Sequence, residues 1–206
     1  MNINLSDDEK IKILNGDDLY GIMQKILLRE EKIDQDREHF WIVGLANNNR
    51  ILFIELISLG SVNHTVAEPM DVFSFALQKR AVNVILVHNH PSGEVKPSDA
   101  DKDITDRMIQ VGIIVNTPVY DHLIITEKTY YSFRDSGLLE ILSKSTKYVP
   151  SFELEKRIKE AYSEKIELLT KSDVVMKGFE KGLSAELISE LTGLSLEEIE
   201  LLRDED

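Results

Sequence analysis

His88 and His90 stand one residue apart at the end of the apolar run Val84-Ile85-Leu86-Val87. Along a strand, side chains alternate between faces, so both imidazoles point to the same side of a sheet. Pro91 has no N–H to give to a ladder and ends the strand there. The chain then passes Pro91-Ser92-Gly93 and Pro97 and enters a helix at Ser98. Asp101 falls in the first turn of that helix, at its positive end, where a carboxylate is favoured. Two imidazole nitrogens and one carboxylate oxygen make three of four tetrahedral zinc ligands, with the fourth place open to water as in catalytic sites. Zinc held in this way lowers the pKa of its water from about 16 to roughly 7. A blander reading uses the same residues. Ser98 and Asp101 stand at capping-box spacing, and the two histidines would then be ordinary polar residues at a strand end. Capping and ligation are compatible, because an ordered helix start orients the ligand.

The elements that must position these residues are legible as pattern. Residues up to 37 read as a helical lead-in, with Leu19, Ile22, Met23, Ile26 and Leu27 at helical spacing. The stretch 39–45 and the stretch 51–57 are rich in strand formers and flank Asn47-Asn48-Asn49, which predicts a hairpin. Pro69 opens a helix whose apolar side is Val72, Phe73, Ala76 and Leu77. After the His88–Asp101 segment, Ile104, Met108 and Val111 line a helix that Gly112 is expected to end. Residues 113–115 and 123–126 read as further strands. Alternating strands and helices predict an α/β fold, a mixed sheet flanked by helices, over residues 38–142. Residues 143–151, polar and carrying Pro150, suit a linker. Residues 152–206 read as a small helical appendage, ending in two short helices around Thr192-Gly193-Leu194-Ser195 with Ser195 as a cap.

The bulk properties narrow the function classes. The chain has 206 residues, 42% of them hydrophobic and 30% charged, which fits a folded protein with one core of ordinary size. It has no cysteine, so thiolate metal sites, disulfides and cysteine nucleophiles are excluded and any zinc must rest on His and carboxylate. Its net charge is −13, which disfavours general nucleic-acid binding because an acidic surface repels phosphates. No secretory leader or membrane span is expected, and a cytoplasmic location follows from that.

The string from His88 to Asp101 resembles the JAMM (MPN/JAB) metalloprotease signature, His-x-His-Pro followed by Ser and then Asp. Its surroundings, Gly60-Ser61-Val62-Asn63, residues 73–82, Pro97-Ser98 and Asp121-His122, are similar to the RadC family within that superfamily. The resemblance covers residues 20–139. It implies a cytidine-deaminase-like α/β/α sandwich, a Zn2+ ion held by His88, His90 and Asp101, and a protein or peptide substrate cleaved at a peptide or isopeptide bond. It makes Ser98 the side chain that steadies the oxyanion of a tetrahedral intermediate. It also calls for a glutamate as general acid and base. Glu55 is the candidate, as the one charged residue in 51–57, where an unpaired carboxylate would be costly and apolar surroundings would raise its pKa. Against this, Glu55 would be inert on an exposed edge or paired with a Lys or Arg. Glu68, just before Pro69, is the second candidate. His122 reads either as support behind a ligand or as a core residue, His64 as a surface turn position and Lys96 as solvated.

Two departures from the RadC pattern bear on partners. The chain ahead of Trp41 is too short for the helix-hairpin-helix module that RadC-like proteins often carry, so the link to DNA or DNA repair is weak here. The C-terminal helices carry Glu186, Glu190, Glu197, Glu198 and Glu200 where a DNA-reading helix would carry Lys and Arg. They are expected to serve contact with a protein partner or self-association, through Leu183, Leu187, Ile188, Leu191, Leu194, Ile199 and Leu202. A non-catalytic, zinc-stabilised interaction module is the remaining alternative to a hydrolase.

Overall fold

A computed structural model of the chain describes residues 12–13, 15–60 and 67–204. His64 and the 61–63 segment lie outside the described residues. The chain divides into two compact units, the first ending at Tyr148 and the second beginning at Val149.

The first unit is built on a five-stranded mixed sheet. Helix α1 (Gly16–Arg29) and the short α2 (Lys32–Gln35) lead into β1 (His39–Leu45) and β2 (Ile51–Leu59). Then follow α3 (Pro69–Gln78), β3 (Asn83–Asn89), α4 (Asp99–Ile114), β4 (Val119–Ile125), β5 (Tyr130–Ser132) and α5 (Leu138–Ser143). The strand order is β2-β1-β3-β4-β5. Strand β1 runs antiparallel to both β2 and β3, β3 runs parallel to β4, and β4 antiparallel to β5. The predicted hairpin is present, and Asn49 takes positive φ in its turn, a conformation Asn tolerates.

Alternation along the central strands makes two cores. Trp41, Val43, Ile85, Val87 and Leu123 face one way and bury Leu19, Met23 and Ile26 of α1. Phe40, Ile42, Val84 and Leu86 face the other way and bury Val72 and Phe73 of α3 and Met108 of α4. The result is a three-layer α/β/α arrangement, with both faces of β1 and β3 covered, as their continuous apolar runs require. Each fully buried large side chain of this kind contributes roughly 1.5–3 kcal/mol.

Two boundaries differ from expectation. Residues 113–114 are the last turn of α4, not a strand, and Gly112 lies inside the helix. The stop is Asn116, at φ 56°, and the strand begins at Val119 after Pro118. Gly112 serves a close approach instead: a Cβ there would lie 2.8 Å from the Thr117 carbonyl oxygen. The 143–151 segment begins as the end of α5, and its next residues are fastened to α4. Ser145 donates to Asp106 Oδ2 at 2.6 Å and Tyr148 to Asp103 Oδ2 at 2.8 Å, while Lys147 pairs with Asp103.

The second unit is helical. It consists of α6 (Ser151–Glu180), α7 (Ala185–Thr192) and α8 (Leu196–Asp204). Val175, Ile188, Leu194 and Ile199 form its core, with Leu183 and Leu202 packed against it. Leu187 and Leu191 stay exposed, so the predicted apolar set divides between an internal core and a free face. No helix among the described residues is long and apolar enough to cross a membrane.

Candidate metal centre

The end of β3 and the start of α4 bring three donor groups together. His88 Nε2 lies 3.0 Å from His90 Nε2 and 3.2 Å from Asp101 Oδ1, and His90 Nε2 lies 3.5 Å from Asp101 Oδ2. The two histidines meet different oxygens of the Asp101 carboxylate, and one ligand atom from each of the three residues lies within 4.8 Å of the others, a spacing that one ion can bridge. Among the described residues, these three are the group of His and acidic side chains placed to hold a metal ion. His88 is nearly closed off, while the His90 and Asp101 side chains keep 13% and 15% of their exposure, which leaves an open side.

Local structure explains the convergence. Strand β3 ends at Asn89, and His90 N–H continues to the Ile125 carbonyl at 3.0 Å, so His90 keeps the strand direction one residue further. The turn that follows closes with Gly93 N–H on the His90 carbonyl at 3.1 Å, and Gly93 takes φ 83°, a left-handed value that suits glycine. Helix α4 then starts on a complete capping box. Ser98 N–H and Oγ–H both donate to Asp101 Oδ2, at 2.7 and 2.6 Å, and Asp101 N–H donates to Ser98 Oγ at 3.1 Å. Capping and clustering therefore occur in the same carboxylate, and the Ser98 hydroxyl proton is spent on holding Asp101.

The far sides of both imidazoles are anchored. His90 Nδ1 lies 2.7 Å from the Glu94 carbonyl oxygen. His88 Nδ1 lies 2.8 Å from His122 Nε2, and His122 Nδ1 lies 2.7 Å from Thr105 Oγ1. Thr105 in turn donates to the Asp101 carbonyl. Sequence reasoning left His122 open between support and core and did not single out Thr105. The available signal was position: Thr105 is four residues after Asp101, one turn along the same helical face. Asn89, between the two histidines, faces the other way. Its Oδ1 accepts His39 N–H at 2.7 Å and its Nδ2 donates to the Arg37 carbonyl at 3.0 Å, which ties the site strand to the start of β1. Asp121 secures β4 by accepting from His122 N–H, Arg134 N–H and the Ser132 hydroxyl.

The cluster draws positive charge. Burial works against ionising Asp101, but hydrogen bonds and charge from His88 and His90, with Ser98, outweigh it and hold this carboxyl well below the usual range. Burial also works against protonating His90, but its bonds to Asp101 and the Glu94 carbonyl outweigh that and raise its pKa. His122 differs. Burial, with the charge of His88, pushes its pKa well below the ordinary value and keeps the ring neutral.

The two glutamates stand apart from the cluster. Glu55 is buried on β2, paired in register with Ile42, which also pairs with Leu86. Cross-strand partners share a face, so Glu55 lies on the same side of the sheet as Leu86 and His88, two strands away. Lys79, at the end of α3, donates to Glu55 Oε1 at 2.8 Å. That is the ion pair which the sequence left open as an alternative. Glu68 is half exposed and pairs with Arg107 at 3.1 Å. Lys96 is exposed.

Comparison with known proteins agrees with this architecture. The model of the RadC-like JAB domain matches residues 15–138. The chain therefore belongs to the RadC-like JAB domain family. It is 42% identical over 106 residues to a UPF0758 protein of Chlorobium chlorochromatii, covering 52% of this chain and 48% of that one. A UPF0758 protein of Flavobacterium johnsoniae is 40% identical over 127 residues, covering 62% and 53%. The chain spans about half the length of the curated relatives it matches.

Proposed function

We propose that this protein is a zinc-dependent hydrolase that cleaves a peptide or isopeptide amide bond. The observation that carries the reading is the cluster of two Nε2 atoms and the Asp101 carboxylate, whose ligand atoms lie within 4.8 Å of one another, with an open side and anchored far sides. His, His and Asp with an open position suit a borderline divalent ion such as zinc better than Mg2+ or Ca2+, which take oxygen ligands, or thiophilic ions, which take sulfur. When bound, zinc supplies Lewis-acid polarisation of a carbonyl and a water acidic enough to ionise near neutral pH. His88, His90 and Asp101 hold it. A cleft of about 400 Å³ lies beside His90 on the α1 side of the sheet, lined by Leu27, Asn89 and Pro91 and not by His88 or Asp101. The substrate path in this reading is the exposed edge of His90 and Asp101 instead.

Within that reading, Glu55 takes the proton of the attacking water and passes it to the leaving amine nitrogen. Its burial and its place on the His88 face of the sheet support the role. Ser98 orients Asp101 while its hydroxyl points at Oδ2, and turning that hydroxyl toward a developing oxyanion is its second task. The exposed Leu187, Leu191 and Leu201, set among glutamates, suit the C-terminal helices to a protein partner or a second copy of the chain.

The Lys79–Glu55 pair favours one competing reading, in which the metal only staples the fold and Glu55 is structural. Glu55→Gln separates the two. With peptide and isopeptide libraries as substrate, the hydrolase reading expects turnover to fall about 10²–10⁴-fold with zinc content unchanged. Equal turnover by wild type and Glu55→Gln would remove Glu55 from the chemistry, and no turnover by either would leave the staple reading in possession.

A further inference from the structure

We infer that His122 and Thr105 are positioning residues that fix which nitrogen of His88 faces the metal, through a one-way chain of hydrogen bonds anchored on the Asp101 backbone carbonyl. The inference rests on the metal-site reading above. Its argument is about where protons must sit. The chain runs from His88 Nδ1 to His122 Nε2 at 2.8 Å, from His122 Nδ1 to Thr105 Oγ1 at 2.7 Å, and from Thr105 Oγ1 to the Asp101 carbonyl oxygen.

A backbone carbonyl can only accept, so the single hydroxyl proton of Thr105 must point at Asp101. Thr105 Oγ1 then has only lone pairs to offer His122, so His122 Nδ1 carries a proton. A neutral ring with Nδ1 protonated has a bare Nε2, which can only accept. His88 Nδ1 must therefore be protonated, so the only His88 proton that a metal can displace is one between Nε2 and Asp101, and the lone pair that the ion meets lies on Nε2. Each bond forces the next, and the last one aims a ligand.

The surroundings leave the relay little freedom. His122 and Thr105 are fully buried. Phe133 stacks on the His122 ring at 4.7 Å and Phe40 meets it edge-on at 5.7 Å, so the ring is held in plane between two apolar walls. His90 reaches the same end by a shorter route, because its Nδ1 meets the Glu94 carbonyl directly at 2.7 Å. Both ligands thus have their tautomer set by a backbone carbonyl. The relay also ends on a residue of the site itself: Asp101 gives its side chain to the cluster and its carbonyl to the chain that orients His88. Deforming the start of α4 would disturb both together.

Thr105→Val keeps the shape and removes the hydroxyl. It is expected to weaken zinc binding by about 10–100-fold, the usual cost of losing an outer partner of a ligand. Thr105→Ser restores the hydroxyl and should bind within a few-fold of wild type. Affinity is read by competition with a chromogenic chelator, beside His88→Ala as the variant that lacks a ligand. The second readout is the ring-nitrogen NMR spectrum of His122 in the full chain, with and without zinc. It should show a neutral ring with the proton on Nδ1 in wild type and in Thr105→Ser. Undiminished affinity in Thr105→Val overturns the inference, and so does a wild-type His122 that carries its proton on Nε2. If wild type binds no more zinc than His88→Ala, the metal-site reading fails, and the His122 spectrum of the metal-free protein alone decides the relay.

Discussion

The starts of α4 and α8 are built alike and differ in what faces them. Ser98 gives N–H and O–H to Asp101 at 2.7 and 2.6 Å and receives Asp101 N–H at 3.1 Å. Ser195 makes the same three bonds with Glu198 at 2.7, 2.8 and 3.2 Å. Both boxes satisfy helix N–H groups that would otherwise lack partners. Both lower the pKa of their carboxylate. For Glu198 the Ser195 backbone and hydroxyl bonds are the main cause, whereas for Asp101 the two histidines must first overcome burial. Asp101 meets two imidazoles from β3, and Glu198 lies exposed on the second unit. The local motif therefore makes a cap, and a strand end pointing two histidines at that cap makes a candidate metal centre.

The largest effect expected from this contrast is on zinc content. Asp101→Asn keeps a side chain of the same shape but loses the charge, and should cost more zinc affinity than the about 10–100-fold typical of an outer partner. Glu198→Gln should leave zinc content at the wild-type level. Equal loss in both variants, measured on dialysed protein, would break the comparison.

A smaller effect is expected with pH. Zinc needs the neutral imidazole, and the pKa of His90 is raised, so in the metal-free site its proton is held to a higher pH than that of an ordinary histidine. Lowering the pH through that raised value should weaken zinc binding by roughly tenfold per pH unit for each proton displaced. Affinity that does not fall as the pH is lowered through the ordinary histidine range would show that His90 is not a ligand.

The smallest effect is on stability. Ser98→Ala and Ser195→Ala each remove a cap, which costs about 0.5–2 kcal/mol in the unit that carries it. Denaturant titration of the two variants reads that cost. Only Ser98→Ala should also weaken zinc binding, and a matching loss in Ser195→Ala would mean that the second unit contributes to the site.

The same contrast explains what could be seen in the sequence. His88, His90, Ser98 and Asp101 lie within fourteen residues, so strand alternation, a proline stop and a helix start were enough to foresee their meeting. The β1–β2 hairpin and the start of α3 at Pro69 were legible for the same local reason. Glu55 was legible as a buried charge, but its pairing with Lys79 depends on how α3 returns over the sheet. His122 needed the parallel pairing of β3 with β4, which no local pattern encodes. Ile113 and Ile114 are β-branched and read as a strand, yet they are the last residues of the helix, and the left-handed Asn116 just beyond its cap turns the chain away. In the tail, spacing identified Ile188, Leu194 and Ile199 as apolar-face residues. It could not say that they would be consumed by their own unit while Leu187 and Leu191 stayed outside.

The central claim is that β3 and α4 together hold one divalent ion. Native mass spectrometry of the full chain, purified with zinc and dialysed, tests it beside a His88→Ala/His90→Ala variant. The account predicts one zinc per wild-type chain and none in the variant. Zinc-free wild type, or the same zinc content in both, would contradict it.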